Sequence, residues 1–367
     1  MNLTLRLASL VALGTLGGAA AAQSPTASPS QVTLYGIVDL SMHHLRSGAR
    51  SALGGADVTR MMDGTVYGPG SRWGLRISED LGDGMKAGAL LENGFLADTG
   101  TLGQGGRIFG RQAYLILSST TFGELRMGRQ YMLHDEILGV ASPSAGFTIT
   151  NPGGIYTLPS GTIQMFIDAN RIDNAVHYLS PVLHGFRIQG MVAPGEGTQD
   201  LYRGLKASYV NGPFTTAAAF EQSKARVVPP GGTSNVNRIA EFGANYNFGV
   251  IRLYGGYQRG KNLTTGVGTQ LGTLNLPGLP GVATNSKAYN VAASTQLGAT
   301  QLMFNYTRSR FGSASGAEVS LGRVGLAATY WLGKQTALVA AFTVANGSLR
   351  EYVNEKQLYQ LGLRKVF

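Results

Sequence analysis

The chain has 367 residues, a formal net charge of +10 and no cysteine, which excludes a disulfide scaffold, a thiolate metal site and a cysteine nucleophile. Charged residues make up only 14%, low for a surface that meets water on every side. The 53 glycines are spread without a collagen period, so a fibrous triple helix is excluded as well.

In chain order, Arg6 precedes an apolar run, Leu7–Leu16, and a small-residue stretch ending Ala20-Ala21-Ala22. This reads as a secretory signal peptide over residues 1–22, cleaved after Ala22, with residues 23–367 as one mature domain. Residues 23–30 (QSPTASPS) form a short lead-in. No later stretch approaches the ~20 apolar residues of a membrane-spanning helix. An exported chain without such a helix is either soluble or a closed barrel, the other structure that satisfies every backbone group in lipid.

From Val32 onward the repeating unit is a run of about ten residues in which apolar and polar alternate, the mark of a transmembrane strand. Val32, Leu34, Val38, Leu40 and Met42 share one face, and Thr33, Tyr35, Asp39, Ser41 and His43 the other. The same period of two runs through Tyr289–Leu297 and Gln301–Ser309, where a helix would need a period near 3.6. Tight connections fall at Leu81–Gly84, Thr121–Gly123, Pro181–Gly185, Asn211–Pro213, Asn247–Gly249, Leu297–Ala299 and Leu332–Lys334. Nearly all contain the glycine that hairpin turns use for positive φ. Between them lie longer connections, near 43–70, 94–107, 133–170, 193–201, 222–236, 259–287, 310–318 and 345–356. Long and short alternate strictly, which predicts sixteen antiparallel strands with both termini on the short-turn side. A barrel of that size keeps an aqueous lumen.

The stretch from Leu133 to Asn170 stands apart. It is rich in glycine and proline, has no Lys or Arg, and its only charges are Asp135, Glu136 and Asp168. A structureless connection this long is uncommon in a compact domain. It is expected to fold into the cavity that the strands enclose and to narrow the channel there. Its middle, GVASPSAGFTITNPGGIYTLPSGTIQMF, is more apolar than an acidic channel wall would be. At the C-terminus, Tyr359, Leu361, Leu363 and Phe367 share one face, so the chain ends on an aromatic at the lipid side.

Enzyme motifs do not emerge. The five histidines form no HExxH pair, and no GxSxG elbow occurs. No acidic cluster of the EF-hand type is present, and no cofactor is predicted. The basic balance alone would admit nucleic acid, but the signal peptide and the strand pattern argue against it.

The pieces VTLYGIVDLS (Val32–Ser41), SRWGLRISEDLGDGMKAGALLENGF (Ser71–Phe95), GRQAYLILSSTTFGELRMGRQY (Gly110–Tyr131) and RIDNAVHYLSP (Arg171–Pro181), with the terminal Phe367, resemble the trimeric general porins of Gram-negative outer membranes. The resemblance implies an all-β, sixteen-stranded antiparallel transmembrane barrel whose third outer loop folds inward. It implies a homotrimer in the bacterial outer membrane, surrounded by lipid and lipopolysaccharide, that passes ions and small hydrophilic solutes passively. Carried onto this chain, it sets Arg72, Arg76, Arg111 and Arg171 on the barrel wall against Glu92, Asp135 and Glu136 at a pore constriction. Tyr131 is expected to pack the loop base. Arg46, Arg50 and Arg60 could draw anions to the mouth.

An arginine facing a channel stays charged, its pKa being above ~12. A unit charge at ~4 Å in water is worth about 1 kcal/mol, roughly a fivefold change in occupancy. Salt screens this over about 8 Å. The expectation is a diffusion channel with a mild anion preference. The alternatives are a substrate-specific anion channel with a saturable site, or a closed structural barrel.

Overall fold

The structure, a computed structural model, describes residues 30–64, 69–143, 155–167, 171–195, 201–224, 236–263 and 274–367. The expected signal peptide and Asp168 lie outside the described residues. In chain order the elements are β1 (Gln31–Arg46), β2 (Asp57–Asp63), β3 (Arg72–Gly82), β4 (Met85–Gly94), β5 (Gln112–Ser119) and β6 (Gly123–Tyr131). Then come α1 (Asp135–Ala141), β7 (Ile155–Leu158), β8 (Gly161–Gln164), β9 (Arg171–Leu179), β10 (Phe186–Ala193), β11 (Leu201–Asn211) and β12 (Phe214–Lys224). The chain finishes with β13 (Val236–Asn247), β14 (Arg252–Lys261), β15 (Ala283–Leu297), β16 (Thr300–Ser313), β17 (Glu318–Trp331), β18 (Thr336–Asn346) and β19 (Gln357–Val366).

Each wall strand pairs antiparallel with its neighbours, and β19 returns to pair with β1 from Ile37↔Val366 to Arg46↔Gln357. The result is a closed sixteen-stranded barrel, as the alternation predicts. Closure leaves no unpaired edge, which lipid would penalise. The seam is finished by Phe367, which exchanges backbone hydrogen bonds with Gly36 at 2.9 and 3.0 Å. Gly36 makes room for the terminal ring, since a Cβ there would stand 2.3 Å from it. All seven tight connections join neighbouring strands at one end of the barrel. In one of them, Gly212 adopts φ +54°, a conformation that side-chain-bearing residues resist.

One connection differs from the sequence reading. Residues 43–70 are expected as a loop, yet β1 runs to Arg46 and β2 lies within that span. β2 pairs with the outer half of β1 (Leu40↔Asp63 to Arg46↔Asp57), and β3 with the inner half (Gln31↔Ser78 to Ile37↔Arg72). Together they form one interrupted wall strand. The cause is length: β3 is too short to cover β1, and the remaining backbone groups of β1 need partners.

The alternation separates two faces. Val32, Leu34, Leu205, Phe220, Val291 and Leu361 are exposed on the outside, while Asp39, His43, Glu92, Gln258 and Asn290 are buried on the inside. Inside, the insert between β6 and β9 is not structureless but carries α1 and the β7–β8 hairpin. Ile137 and Leu133 pack against Ile172, Met191 and Ala217. Further on, Tyr156, Ile163 and Met165 pack against Ile239, Phe311 and Leu321. The apolar character of the described part of that middle, residues 155–166, is thus explained: it rests on apolar residues that the wall points inward.

Candidate pore constriction

The sequence-predicted residues sort into two groups. Tyr35, Gly74 and Glu92 lie side by side on β1, β3 and β4 (Tyr35↔Gly74, Gly74↔Glu92), so their side chains share the inward face. A Cβ on Gly74 would meet the Tyr35 ring at 2.7 Å. The glycine therefore lets the ring cross to Glu92, whose Oε2 accepts the tyrosine hydroxyl at 2.9 Å. Arg111 donates its Nε to the other carboxylate oxygen at 2.7 Å. Arg72 Nε stands 3.6 Å from the same carboxylate, and its Nη1 donates to Pro69 O at 2.8 Å. Arg76 is exposed and lies over the Tyr35 ring at 5.4 Å.

The network continues outward through Tyr131. Its hydroxyl accepts Arg111 Nη2 at 2.6 Å and also a bond from Arg171. The Arg171 guanidinium stacks on the Tyr131 ring at 4.2 Å. Tyr131 is expected from the sequence to pack the loop base; it instead joins two arginines, holding like charges near each other through its hydroxyl and its π-face. Two guanidinium groups, Arg72 and Arg111, thus share the Glu92 carboxylate, and two more, Arg76 and Arg171, lie over the adjoining tyrosine rings. The sequence reading sets Glu92 against the arginines, and the register makes it the partner of Arg72 and Arg111.

Asp135 and Glu136 open α1, on the far side of Tyr131. Asp135 is close enough to Arg111 to act on its charge. Glu136 turns away from that cluster: Lys206 on β11 pairs with it, and Gln189 Nε2 donates to it at 3.4 Å. The sequence does not single out Lys206, because nothing in the local pattern connects β11 with residue 136.

The rest of the insert is fastened to the opposite wall. Glu221 accepts the His134 backbone N–H at 3.3 Å and bonds both the His134 ring and the Tyr202 hydroxyl. Asn245 and Asn290 donate to the carbonyls of Val140 and Ala141 at 2.9 and 2.6 Å. Gln258 accepts from Ile167 N at 2.6 Å and donates to Ile167 O at 3.0 Å. At the hairpin, Thr157 N and Oγ1 donate to Glu355 at 2.8 and 2.9 Å.

Two of the mouth arginines are engaged: Arg46 pairs with Asp57 at 3.6 Å and Arg50 donates to the Tyr352 hydroxyl at 2.9 Å. Arg60 stands on β2 opposite His43. Among the described residues, no group of three or more His, Asp or Glu is placed to hold a metal ion.

The comparisons with known proteins agree with this architecture. The Gram-negative porin family matches residues 8–348. An outer membrane porin protein of Bordetella pertussis is 31% identical over 374 residues, covering 93% of each chain. An anion-selective porin from Comamonas acidovorans superposes with a TM-score of 0.73 at 25% identity, over 92% of this chain and 100% of that one. The trimer form of OmpT from Vibrio cholerae shares the fold at a TM-score of 0.65 and 16% identity, over 92% and 99% of the two chains.

Proposed function

The chain belongs to the Gram-negative porin family and forms a diffusion channel in the bacterial outer membrane; on that premise we propose that the arginine patch is its constriction and gives it a mild anion preference. Arg72, Arg76, Arg111, Arg171 and Glu92 form one side of the narrow point; Asp135 and Glu136 open the insert beside it, Glu136 paired with Lys206 rather than with the patch. The observation that carries the reading is the imbalance: Arg72 and Arg111 share the Glu92 carboxylate, and two further guanidinium groups, Arg76 and Arg171, lie over the neighbouring Tyr35 and Tyr131 rings. Each guanidinium keeps its charge at any working pH. A passing anion gains about 1 kcal/mol from a unit charge at ~4 Å in water, enough for a bias of roughly fivefold and too little for a filter. The anion-selective relative from Comamonas acidovorans supports the sign.

Solutes pass by diffusion without a chemical step. Residues 1–22 act as the export signal and residues 23–367 as the single barrel domain. The working unit is a homotrimer, and outer-membrane lipid and lipopolysaccharide are its surroundings. The test is the reversal potential of the purified protein in a planar bilayer across a KCl gradient. Chloride is expected to permeate faster than potassium, and Arg76→Ala to reduce the difference. A potassium preference would overturn the assignment of the patch, and no conductance by folded protein would favour a closed barrel.

A further inference from the structure

Between the Glu92 carboxylate and the tight turns, the lumen wall departs from the polar lining that a water-filled barrel carries on its inner face. Leu90 shares the inward face of β4 with Glu92, and Tyr114 and Ile116 share that of β5 with Gln112, the residue opposite Glu92. Leu90 and Tyr114 are buried and Ile116 is half-buried, while Leu115 and Leu117 are exposed on the outside. Register brackets this apolar strip with two arginines. Arg76 stands opposite Leu90, which stands opposite Tyr114. One pleat nearer the turns, Ile116 stands opposite Arg126. The two arginines lie three strand spacings apart, about 14 Å across the sheet, with the strip between them.

Their guanidinium groups are prepared differently. Arg76 is exposed and rests on the Tyr35 ring. Among the described residues no carboxylate pairs with it, so its donors are left for a solute. Arg126 lies over the Tyr114 ring at 5.5 Å, and its charge is matched by Glu124, two residues away on the same face. The Arg126 side chain remains 24% exposed. One group is an uncompensated charge; the other is a compensated flat surface backed by an aromatic ring. A guanidinium plane stacks on aromatic faces, so Arg126 can carry a second ring on the side away from Tyr114. The same pairing elsewhere in the lumen is closed. Arg323 over Tyr156 is buried and donates to Ile155 O at 3.1 Å. Arg171 over Tyr131 is held by the tyrosine hydroxyl.

We propose that this strip is a subsite for aromatic carboxylates, on the tight-turn side of the constriction. The carboxylate takes the fork of Arg76, and the ring lies on Arg126 beside the apolar strip. An inorganic anion uses Arg76 alone, and an aliphatic acid gains no stacking from the plane of Arg126. The inference rests on the pore reading and names a class of solute that the channel favours.

The test is saturation-transfer NMR on the detergent-purified full chain, titrated with benzoate and with cyclohexanecarboxylate. The second acid has the same charge and nearly the same size but no π-face. Benzoate is expected to bind about fivefold more tightly. Arg126→Lys keeps the charge and loses the plane, and should bring benzoate down to the level of cyclohexanecarboxylate. Arg76→Gln should weaken both acids about fivefold and leave their ratio in place. Equal wild-type affinity for the two acids, or an undiminished benzoate preference in Arg126→Lys, would overturn the proposal. If that variant fails to fold, the wild-type ratio and Arg76→Gln decide the matter, since unaltered benzoate binding in Arg76→Gln would overturn it equally. Binding is read in detergent, so absence of conductance in a bilayer would sink the pore reading and leave the subsite standing. A conducting channel without the benzoate preference would sink the subsite alone.

Discussion

The two halves of the lumen wall use their polar side chains differently. On β1–β6 and β9 they are mostly charged and bond one another: Glu92 with Arg72 and Arg111, Arg111 with Tyr131. On β10–β18 many are neutral amides and hydroxyls that bond the backbone of the insert, as Asn245, Gln258, Asn290 and Ser309 do. The difference follows from what each half faces. An irregular segment brought inside a barrel carries peptide groups that have left water, and each needs a partner. A wall that faces the channel meets water and solute instead, and can keep unbalanced charge. One half therefore anchors the loop, and the other is the half to which the proposed field belongs.

The largest break in this contrast should come from Glu92→Ala. Glu92 and Arg111 are both nearly inaccessible, and removing one partner of a buried pair costs about 3–5 kcal/mol. Denaturant unfolding should register that loss, and any folded fraction should be more anion-selective than the wild type. Next, Gln258→Ala strips Ile167 of both its backbone partners. At about 1–3 kcal/mol for buried polar groups left unpaired, the insert should lose amide-exchange protection near residue 167 while the strands keep theirs. Arg76→Ala is a smaller and sharper test. Arg76 stacks on Tyr35 and is exposed, so the reversal potential should move towards zero with little change in unfolding. Arg111→Ala should move both.

The smallest effect belongs to the outer loops, where Gly48 N and Arg50 N donate to Val353 O and Glu351 O at 2.9 and 2.8 Å. Hydrogen bonds from Lys356 and Arg350 hold the Glu351 carboxyl at about 2, below its ordinary value. A depressed carboxylate stabilises the folded form at any pH above its unfolded value and loses that contribution as pH falls towards the folded one. Amide protection factors at Gly48 and Arg50 should thus be level from pH 8 to 5 and decline below about pH 4. A decline at neutral pH would mean that another group controls the clasp.

Much of the fold is legible from the chain alone because strand alternation is a local signal. Val32 to His43 declares its two faces without reference to any partner, and the strict order of long and short connections carries the strand count. β2 escapes for the opposite reason. DVTRMMD alternates weakly, and its strand character comes from the unpaired outer half of β1. At the site, the arginines are legible as residues that must face water or anion, but not the company they keep.

The closed sixteen-stranded barrel with one long insert is written in the chain itself. Period-two patterning and turn chemistry act over a few residues, so they survive without the rest of the molecule. Side-chain partnerships arise on closure. Tyr35 reached Glu92 through the Gly74 gap between strands, Arg72 and Arg111 met on the same carboxylate, and Lys206 met Glu136 at the inserted helix. Arg364 found Asp39, 2.7 Å away but 325 residues distant, when the barrel closed. Those choices depend on register between strands far apart in the chain, and register is a property of the closed sheet rather than of any segment within it.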